Sequence, residues 1–196
     1  MRPNWFIGLA VSPDPWFEPV TAALEVAPQR RAALRLFHPD DLHLTIAFLG
    51  AVSEEGARAA WEASTDLAFE TVDARLERLE PMGQPRRPTV LAVAVASAGA
   101  HRFIAAHRDT LLDKAGARPD RRAPRPHVTV ARFRRRADDA SRNEVIDAAA
   151  AHPPLDTEMT LSHLALYTWA DARLEGAPPS SSEPQFRKVA MRELSR

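Results

Sequence analysis

The sequence contains no cysteine, which excludes disulfide bonds, thiolate-bound metal ions and a cysteine nucleophile. A chain without cysteine suits a reducing compartment, so we expect a cytoplasmic protein. Glycine is scarce, at 7 of 196 residues, and neither a glycine-rich nucleotide loop nor a Gly-x-Ser-x-Gly nucleophile motif is present. The common phosphate-cradling loops and serine hydrolase motifs are therefore excluded.

Long hydrophobic runs are also missing. No apolar segment approaches the length of a membrane span, and the first ten residues lack the pattern of a signal peptide, so we expect no membrane partner. The composition, 45% hydrophobic and 27% charged, is typical of a globular protein. The length favours a single domain over residues 1–196, and we expect it to be a monomer.

Lysine is rare, so nearly all of the positive charge is carried by arginine. The formal net charge is zero, which argues against bulk binding of nucleic acid. The charge is nevertheless uneven, because eight arginines and only one acid, Asp120, lie between Arg118 and Arg136. This segment is either a solvated loop or a surface that contacts RNA.

The hydrophobic pattern predicts alternating strands and helices without a strict βαβ order. Frequent hairpins indicate an α+β fold with antiparallel sheets. We predict strands at 5–11, 42–49, 72–79, 89–96, 126–133, 159–169 and 185–191, and helices at 13–26, 53–69, 100–115 and 138–151. Turns are predicted at 81–88 and 176–184.

A short motif occurs twice in this pattern, as His43-x-Thr45 and His127-x-Thr129, each inside an apolar strand. Residues two apart on a strand share a face, so each histidine projects together with its threonine. One such histidine is usually a core residue with a hydrogen-bond partner. Two matched copies indicate instead that two polar pairs converge on one site.

Paired histidines suit phosphodiester chemistry without a metal ion. The ordinary histidine pKa of about 6.5 allows one imidazole to act as a base and another as an acid near neutral pH. One takes a proton from attacking water, and the other donates a proton to the departing ribose oxygen. Threonine hydroxyls can hold the non-bridging phosphate oxygens.

Residues 41–50 (DLHLTIAFLG) and 125–133 (RPHVTVARF) closely resemble the two motifs of the two-histidine phosphoesterases. Within this group they are most similar to the bacterial and archaeal RNA 2′,3′-cyclic phosphodiesterases, historically called 2′-5′ RNA ligases. The resemblance implies a bilobal α+β fold. Two pseudo-symmetric lobes, with antiparallel sheets flanked by helices, would enclose a central cleft.

The resemblance also implies roles for individual residues. His43 would be the proton donor to the 3′ oxygen and His127 the proton acceptor from water, giving a 2′-phosphomonoester. Thr45, Thr129 and Arg132 would bind the phosphate. Strict alternation along the strand puts Arg132 on the face opposite His127, so it reaches the phosphate only if the strand ends or bulges near residue 131.

No cofactor and no metal are predicted, because the other five histidines do not occur at metal-ligand spacings. Three aromatic residues are candidates for stacking a terminal base: Phe37, Phe48 and Phe133. For Phe48, packing in the core is the favoured role.

Several functions remain open from the sequence. The principal hypothesis is hydrolysis of 2′,3′-cyclic phosphate ends of RNA, with 2′-5′ ligation as the reverse reaction. The alternatives are a phosphodiesterase of the same superfamily that acts on small cyclic nucleotides, and an RNA-binding module without catalysis. Turnover and dependence on substrate length separate them.

Overall fold

The computed structural model describes residues 2–67, 70–84, 87–171 and 182–195. The strands are β1 (Trp5–Ala10), β2 (Leu34–Leu36), β3 (His43–Gly50), β4 (Val72–Gln84), β5 (Arg87–Ala96), β6 (His127–Phe133), β7 (Thr157–Leu161), β8 (His163–Trp169) and β9 (Phe186–Glu193). The helices are α1 (Phe17–Glu25), α2 (Pro28–Ala33), α3 (Glu54–Ala63), α4 (Ala98–Lys114) and α5 (Asp139–Ala151). Short 3-10 turns lie at Pro39–Asp41 and Ser64–Asp66.

All of the strands belong to one antiparallel sheet, in the order β7-β4-β5-β6-β3-β1-β8-β9, with β2 pairing to the far end of β6. The two strands that begin with the candidate histidines, β3 and β6, are neighbours at its centre. Three further strands follow on each side of this pair. This arrangement is the expected pair of pseudo-symmetric lobes, and the fold class predicted from the sequence is confirmed.

The two lobes draw on different parts of the chain. One is built from the consecutive strands β4 to β7, whereas the other combines β1 and β3 with β8 and β9. The single strand predicted at 159–169 is therefore wrong. The chain leaves the sheet ladder at Ser162, so that β7 pairs with β4 in one lobe and β8 pairs with β1 in the other. An apolar pattern that continues through Ser162 does not reveal that the strand changes lobe.

The core lies on the face of the sheet opposite the motif side chains. Leu44 and Ile46 of β3, with Val128 and Val130 of β6, are buried in one continuous hydrophobic cluster. Helix α4 packs on β3, and α5 packs on β4. Each such aliphatic side chain contributes roughly 1.5–3 kcal/mol when it is buried. Packing therefore fixes the two strands and leaves their other face to polar residues.

Two predicted helix ends, at residues 53 and 115, lie within one residue of the observed ends of α3 and α4. Ser53 caps α3, since its hydroxyl accepts a hydrogen bond from the Gly56 amide at 3.1 Å. Gly116 follows α4 with φ of +62°, a left-handed conformation that favours glycine. The predicted helix at 53–69 is too long, because α3 ends at Ala63 and residue 69 lies outside the described ranges.

Other boundaries differ from the prediction. Helix α1 begins at Phe17, four residues after the predicted start, and α2 and β2 were not predicted. The turn predicted at 81–88 is largely strand, because β4 and β5 extend into a longer hairpin. Most of the predicted loop at 176–184 lies outside the described residues. Within the described ranges, no helix is long and apolar enough to cross a membrane.

Candidate functional site

Pairing between the central strands brings the two His-x-Thr motifs together. Leu44 of β3 lies opposite Val128 of β6 in an antiparallel pair. Because the strands are antiparallel, His43 and Thr129 lie at one end of this contact, and Thr45 and His127 lie at the other. The two motifs are thus related by a pseudo-twofold axis through the Leu44–Val128 pair.

All five residues predicted for the site line one cleft with a volume of about 400 Å³. They are His43, Thr45, His127, Thr129 and Arg132. The remaining lining residues are Asn4, Phe6, Phe37, Phe48, Thr89, Val90, Trp169 and Phe186. The cleft therefore combines a polar floor from the central strands with a largely aromatic rim.

Both histidines are held by the same local hydrogen bond. Nδ1 of His43 lies 2.6 Å from the carbonyl oxygen of Asp41, and Nδ1 of His127 lies 2.7 Å from the carbonyl oxygen of Arg125. A carbonyl oxygen can only accept, so Nδ1 carries the proton in each ring. Each neutral imidazole is thereby left with an unprotonated Nε2, which can accept or, once protonated, donate a proton.

The surroundings of His43 are aromatic. Its ring centroid lies 4.4 Å from that of Phe6, 5.2 Å from that of Tyr167 and 5.7 Å from that of Phe186. Burial among these rings lowers the pKa of His43 to about 4, and the nearby positive charge of His127 and Arg132 acts in the same direction. In the free protein His43 is consequently neutral at pH 7.

His127 lies in a more polar environment. Burial lowers its pKa, and the positive charge of Arg125 adds to this effect. The carboxylate of Glu80 opposes it, since a nearby negative charge favours imidazolium. Glu80 also forms ion pairs with Arg125 and, at 3.1 Å, with Arg78. The two histidines therefore differ in electrostatics although their backbone geometry matches.

A β-bulge decides the position of Arg132. On β5, Leu91 pairs with Ala131 and the next residue, Ala92, pairs with Thr129, so Val130 has no partner there. Val130 and Ala131 are both buried, which reverses the alternation of β6 after Thr129. Arg132 therefore returns to the face of His127 and Thr129 and lines the cleft. The sequence predicted that Arg132 could reach the phosphate only if the strand ended or bulged near residue 131, and β6 has a bulge at this point.

The first motif has the same bulge. On β1, Ile7 pairs with Ala47 and Gly8 pairs with Thr45, which leaves Ile46 as the extra residue. Phe48 consequently takes the position in β3 that Arg132 has in β6. It is 52% exposed and lines the cleft, so the favoured prediction that Phe48 packs in the core is wrong. Phe37 and Phe133 are buried, and of these two only Phe37 lines the cleft.

Asp41 supports the His43 side of the cleft from below. It is fully buried, and its carboxylate accepts hydrogen bonds from the backbone amides of Gln185 and Phe186 at 2.9–3.0 Å. These bonds join the start of β9 to the start of β3 and place the Phe186 ring against His43. Burial raises the pKa of Asp41 because desolvation outweighs these hydrogen bonds. Asp41 thus fixes both a backbone carbonyl and an aromatic wall beside one histidine.

The sequence profile of the 2′-5′ RNA ligase superfamily matches residues 12–173. The chain belongs to this superfamily. It is similar to the RNA 2′,3′-cyclic phosphodiesterase of Aeropyrum pernix, with 31% identity over 102 residues, which are 52% of this chain and 58% of that protein. It is also similar to the Bacillus subtilis protein of the same name, with 26% identity over 134 residues, 67% of this chain and 72% of that protein.

A solved structure has the same fold. Escherichia coli LigT, in a complex with 3′-AMP, superimposes with a TM-score of 0.69 at 19% identity, and the match covers 100% of both chains. At this identity the likeness concerns the fold alone. The chain spans less than two thirds of the Aeropyrum pernix relative, at 58% of its length.

The sequence predicted the polar residues that line this cleft but missed the aromatic rings around His43. Phe6, Tyr167 and Phe186 come from strands far apart in the chain, and each looks like an ordinary core residue in its own segment. Asp41 precedes the first motif by two residues, and its role depends on β9, which is more than 140 positions away. No group of three or more histidine or acidic side chains in the described ranges is placed to hold a metal ion.

Proposed function

We propose that this chain hydrolyses RNA 2′,3′-cyclic phosphate ends to 2′-phosphomonoesters, using His43 and His127 as an acid–base pair. The observation that carries the proposal is the pseudo-twofold placement of two His-x-Thr motifs on adjacent strands facing one cleft. Each imidazole is fixed through Nδ1, which frees both Nε2 atoms for proton transfer. The names of the curated relatives, RNA 2′,3′-cyclic phosphodiesterase, support this substrate.

In the proposed reaction, His127 takes a proton from a water molecule as its oxygen attacks phosphorus. The bond from phosphorus to the ribose 3′ oxygen breaks, and His43 donates a proton to that oxygen. The phosphate remains on the 2′ oxygen, beside a new 3′ hydroxyl. Thr45, Thr129 and Arg132 hold the non-bridging oxygens as negative charge develops on them. Two imidazoles supply both proton transfers, so the reaction needs no metal ion.

A reversed assignment of the two histidines is the second candidate, and the pKa of His43 favours it. With a pKa of about 4 in the free protein, His43 is ready to act as the base. Burial also lowers the pKa of His127, but the Glu80 carboxylate opposes this shift and favours its protonated form. For His43 to be the donor, the bound phosphate anion must first raise its pKa.

A substrate with sulfur in place of the 3′ oxygen decides between the two assignments. A thiolate leaves without a proton, so loss of the general acid costs little on this substrate. If His43 is the donor, His43→Ala recovers most of its activity on the sulfur substrate and His127→Ala does not. The opposite pattern assigns the donor role to His127.

The position of Phe48 supports a nucleotide substrate. Its exposed ring lies at the edge of the cleft, where a terminal base can stack on it. Arg132 and Phe48 occupy equivalent positions in the two motifs, so the pseudo-symmetric cleft offers a cation on one side and an aromatic ring on the other. This asymmetry suits one nucleotide, with its phosphate towards Arg132 and its base towards Phe48. We also infer a single bilobal domain that acts as a cytoplasmic monomer.

The test is hydrolysis of an oligoribonucleotide that ends in a 2′,3′-cyclic phosphate, in the presence of EDTA. Wild type, His43→Ala and His127→Ala are compared, with His101→Ala, an exposed residue of α4 outside the cleft, as the matched control. The product ends are mapped. We expect wild type and the control to give a 2′-phosphate, and both cleft variants to lose most of the rate.

Other results would support the alternatives. Binding of RNA without turnover indicates an RNA-binding module, and full activity of either cleft variant means that its histidine is structural. Turnover of cyclic mononucleotides with no activity on RNA indicates a small-nucleotide phosphodiesterase. Incubating the 2′,3′-cyclic end with an excess of RNA carrying a 5′ hydroxyl tests whether the reverse reaction forms a 2′-5′ bond.

A further inference from the structure

A second cavity adjoins the catalytic cleft. It has a volume of about 820 Å³ and shares the lining residue Thr89 with the cleft, so the two adjoin at the start of β5. We call it the arginine groove. Its lining residues are Gly83, Gln84, Arg87, Pro88, Thr89, Arg122, Phe133, Arg135 and Arg142. The groove thus lies between the β4–β5 hairpin and the segment that follows β6.

The charge of the arginine groove has one sign. Four of its lining residues are arginines, of which Arg122 is paired with Asp120, and none of the described lining residues carries a carboxylate. Arg87 and Arg135 are exposed, and neither forms an ion pair with any carboxylate in the described ranges. Exposed arginines without local acids are available to an anionic partner, and guanidinium groups match phosphate geometry.

Arg142 gives the groove a fixed positive charge. It is 5% exposed, and its guanidinium donates hydrogen bonds to the carbonyl oxygens of Ala137, Pro88 and Arg134 at 2.6–3.2 Å. These acceptors are neutral, so they hold the side chain without cancelling its charge. Its guanidinium carbon also lies 5.3 Å from the Phe133 ring centroid. The floor of the groove is therefore a rigid cation rather than a mobile surface side chain.

The cavity that shares Phe48 with the cleft is less suited to phosphates. That cavity, of about 570 Å³, is lined in part by Arg118, Arg122 and Asp120. Asp120 binds Arg122 through two hydrogen bonds of 2.7 and 2.8 Å, which neutralises much of the positive charge there. The Arg122 guanidinium holds the pKa of Asp120 at about 2, so this acid is ionised at neutral pH. A phosphodiester chain therefore meets less positive charge on this side than in the arginine groove.

We propose that the arginine groove binds the backbone phosphates of the nucleotides that precede the cyclic end, and so selects oligoribonucleotides over mononucleotides. This inference rests on the proposed function. Because the two cavities adjoin at Thr89, a chain whose terminal phosphate is in the cleft can pass into the groove. Arg87 and Arg135 then contact phosphates, while Arg142 supplies the positive potential beneath them.

The test compares cytidine 2′,3′-cyclic phosphate with a hexaribonucleotide that ends in a 2′,3′-cyclic phosphate. The variant is Arg87→Ala/Arg135→Ala. The control is Arg121→Ala/Arg136→Ala, which removes the same charge from exposed arginines outside the groove. The hexamer-to-mononucleotide ratio of kcat/KM should fall about tenfold in the groove variant, from roughly threefold for each exposed ion pair, and stay near the wild-type value in the control.

A binding measurement makes the groove testable apart from turnover. A fluorescent hexaribonucleotide with a 3′-phosphate is titrated by anisotropy at several salt concentrations. Loss of two phosphate contacts should lower the slope of log affinity against log salt by about 1.4, at about 0.7 for each contact with a single strand. The Arg87→Lys/Arg135→Lys variant, which keeps the charge, should recover much of this slope.

The inference is overturned if the wild type prefers the mononucleotide or binds the hexamer with no dependence on the groove arginines. It is also overturned if the control variant lowers the ratio as much as the groove variant does, since long-range charge would then explain the effect. If the wild type hydrolyses neither substrate, the proposed function is refuted. The anisotropy result still decides whether the groove binds RNA.

Discussion

Burial of His43 among aromatic rings predicts a stability that depends on pH. Its pKa is about 4 in the folded protein, against 6.5 as its ordinary value in an unfolded chain. Between these values the unfolded state binds more protons than the folded state does. The free energy of unfolding therefore falls as the pH falls from about 6.5 towards about 4, and the stabilisation by neutral His43 is fully present only above this range.

The magnitude follows from the size of the shift. The fall of the pKa from 6.5 to about 4 corresponds to about 3.5 kcal/mol at most, at roughly 1.4 kcal/mol for each tenfold change in proton affinity. Between about pH 7 and about pH 5, the part lost is about 2 kcal/mol by proton linkage. His43→Asn removes the titrating group and keeps a side-chain amide that can still donate to the Asp41 carbonyl. The free energy of unfolding falls in both proteins as the pH is lowered over this range. The fall should be smaller in His43→Asn than in wild type by about 2 kcal/mol.

Urea unfolding at the two pH values measures this, with tryptophan fluorescence as the signal, since Trp5 and Trp16 are both buried. His127→Asn is the matched control, because it keeps His43 and should retain most of the wild-type loss. Only the change with pH is compared, so the cost of the substitution itself cancels. Equal pH dependence in wild type and His43→Asn would refute the argument that burial holds His43 neutral.

The remaining predictions concern the cleft. Activity should survive EDTA and show a bell-shaped dependence on pH; loss in chelator that a divalent ion restores would contradict the metal-free mechanism. Arg132→Ala should lower kcat/KM on the cyclic RNA end about a hundredfold, because roughly 2.7 kcal/mol of oxyanion stabilisation is lost. Steady-state kinetics would measure this loss, which should be smaller for Arg132→Lys. Phe48→Ala should raise KM about tenfold, because roughly 1–3 kcal/mol of base stacking is lost. Phe48→Tyr keeps an aromatic ring and should leave KM unchanged. Equal KM values for the two variants would exclude stacking. Asp41→Asn should destabilise the fold by about 1–3 kcal/mol in urea unfolding. The reason is that the asparagine NH2 group would face the backbone N–H donors of Gln185 and Phe186, from which the carboxylate accepts hydrogen bonds.

The bulges show what the two motifs could and could not reveal. The alternation of polar and apolar residues put His43 and Thr45 on one face, since side chains on a strand alternate with a period of two. The same rule put Arg132 on the wrong face and gave no reason to expose Phe48. Extra residues at Ile46 and Val130 change the phase of both strands, and a bulge depends on the partner strand.

The crossing between lobes depended on tertiary structure in a similar way. Ser162 lies between two apolar segments, and the sequence alone reads them as one strand. Pairing with β4 on one side and β1 on the other separates them, since each segment completes a different half of the sheet. Local pattern reports which residues are buried but not which neighbour buries them.

The sequence by itself determined the α+β class, the repeated motif and the chemistry that two histidines and two threonines can perform, because each depends on residue type and short-range spacing. Only the tertiary structure decided the pairing of Leu44 with Val128, the return of Arg132 to the cleft and the aromatic wall around His43. It also placed the arginine groove beside the cleft at Thr89. These features depend on contacts between segments far apart in the chain, where burial and electric field are set by neighbours that no local pattern specifies.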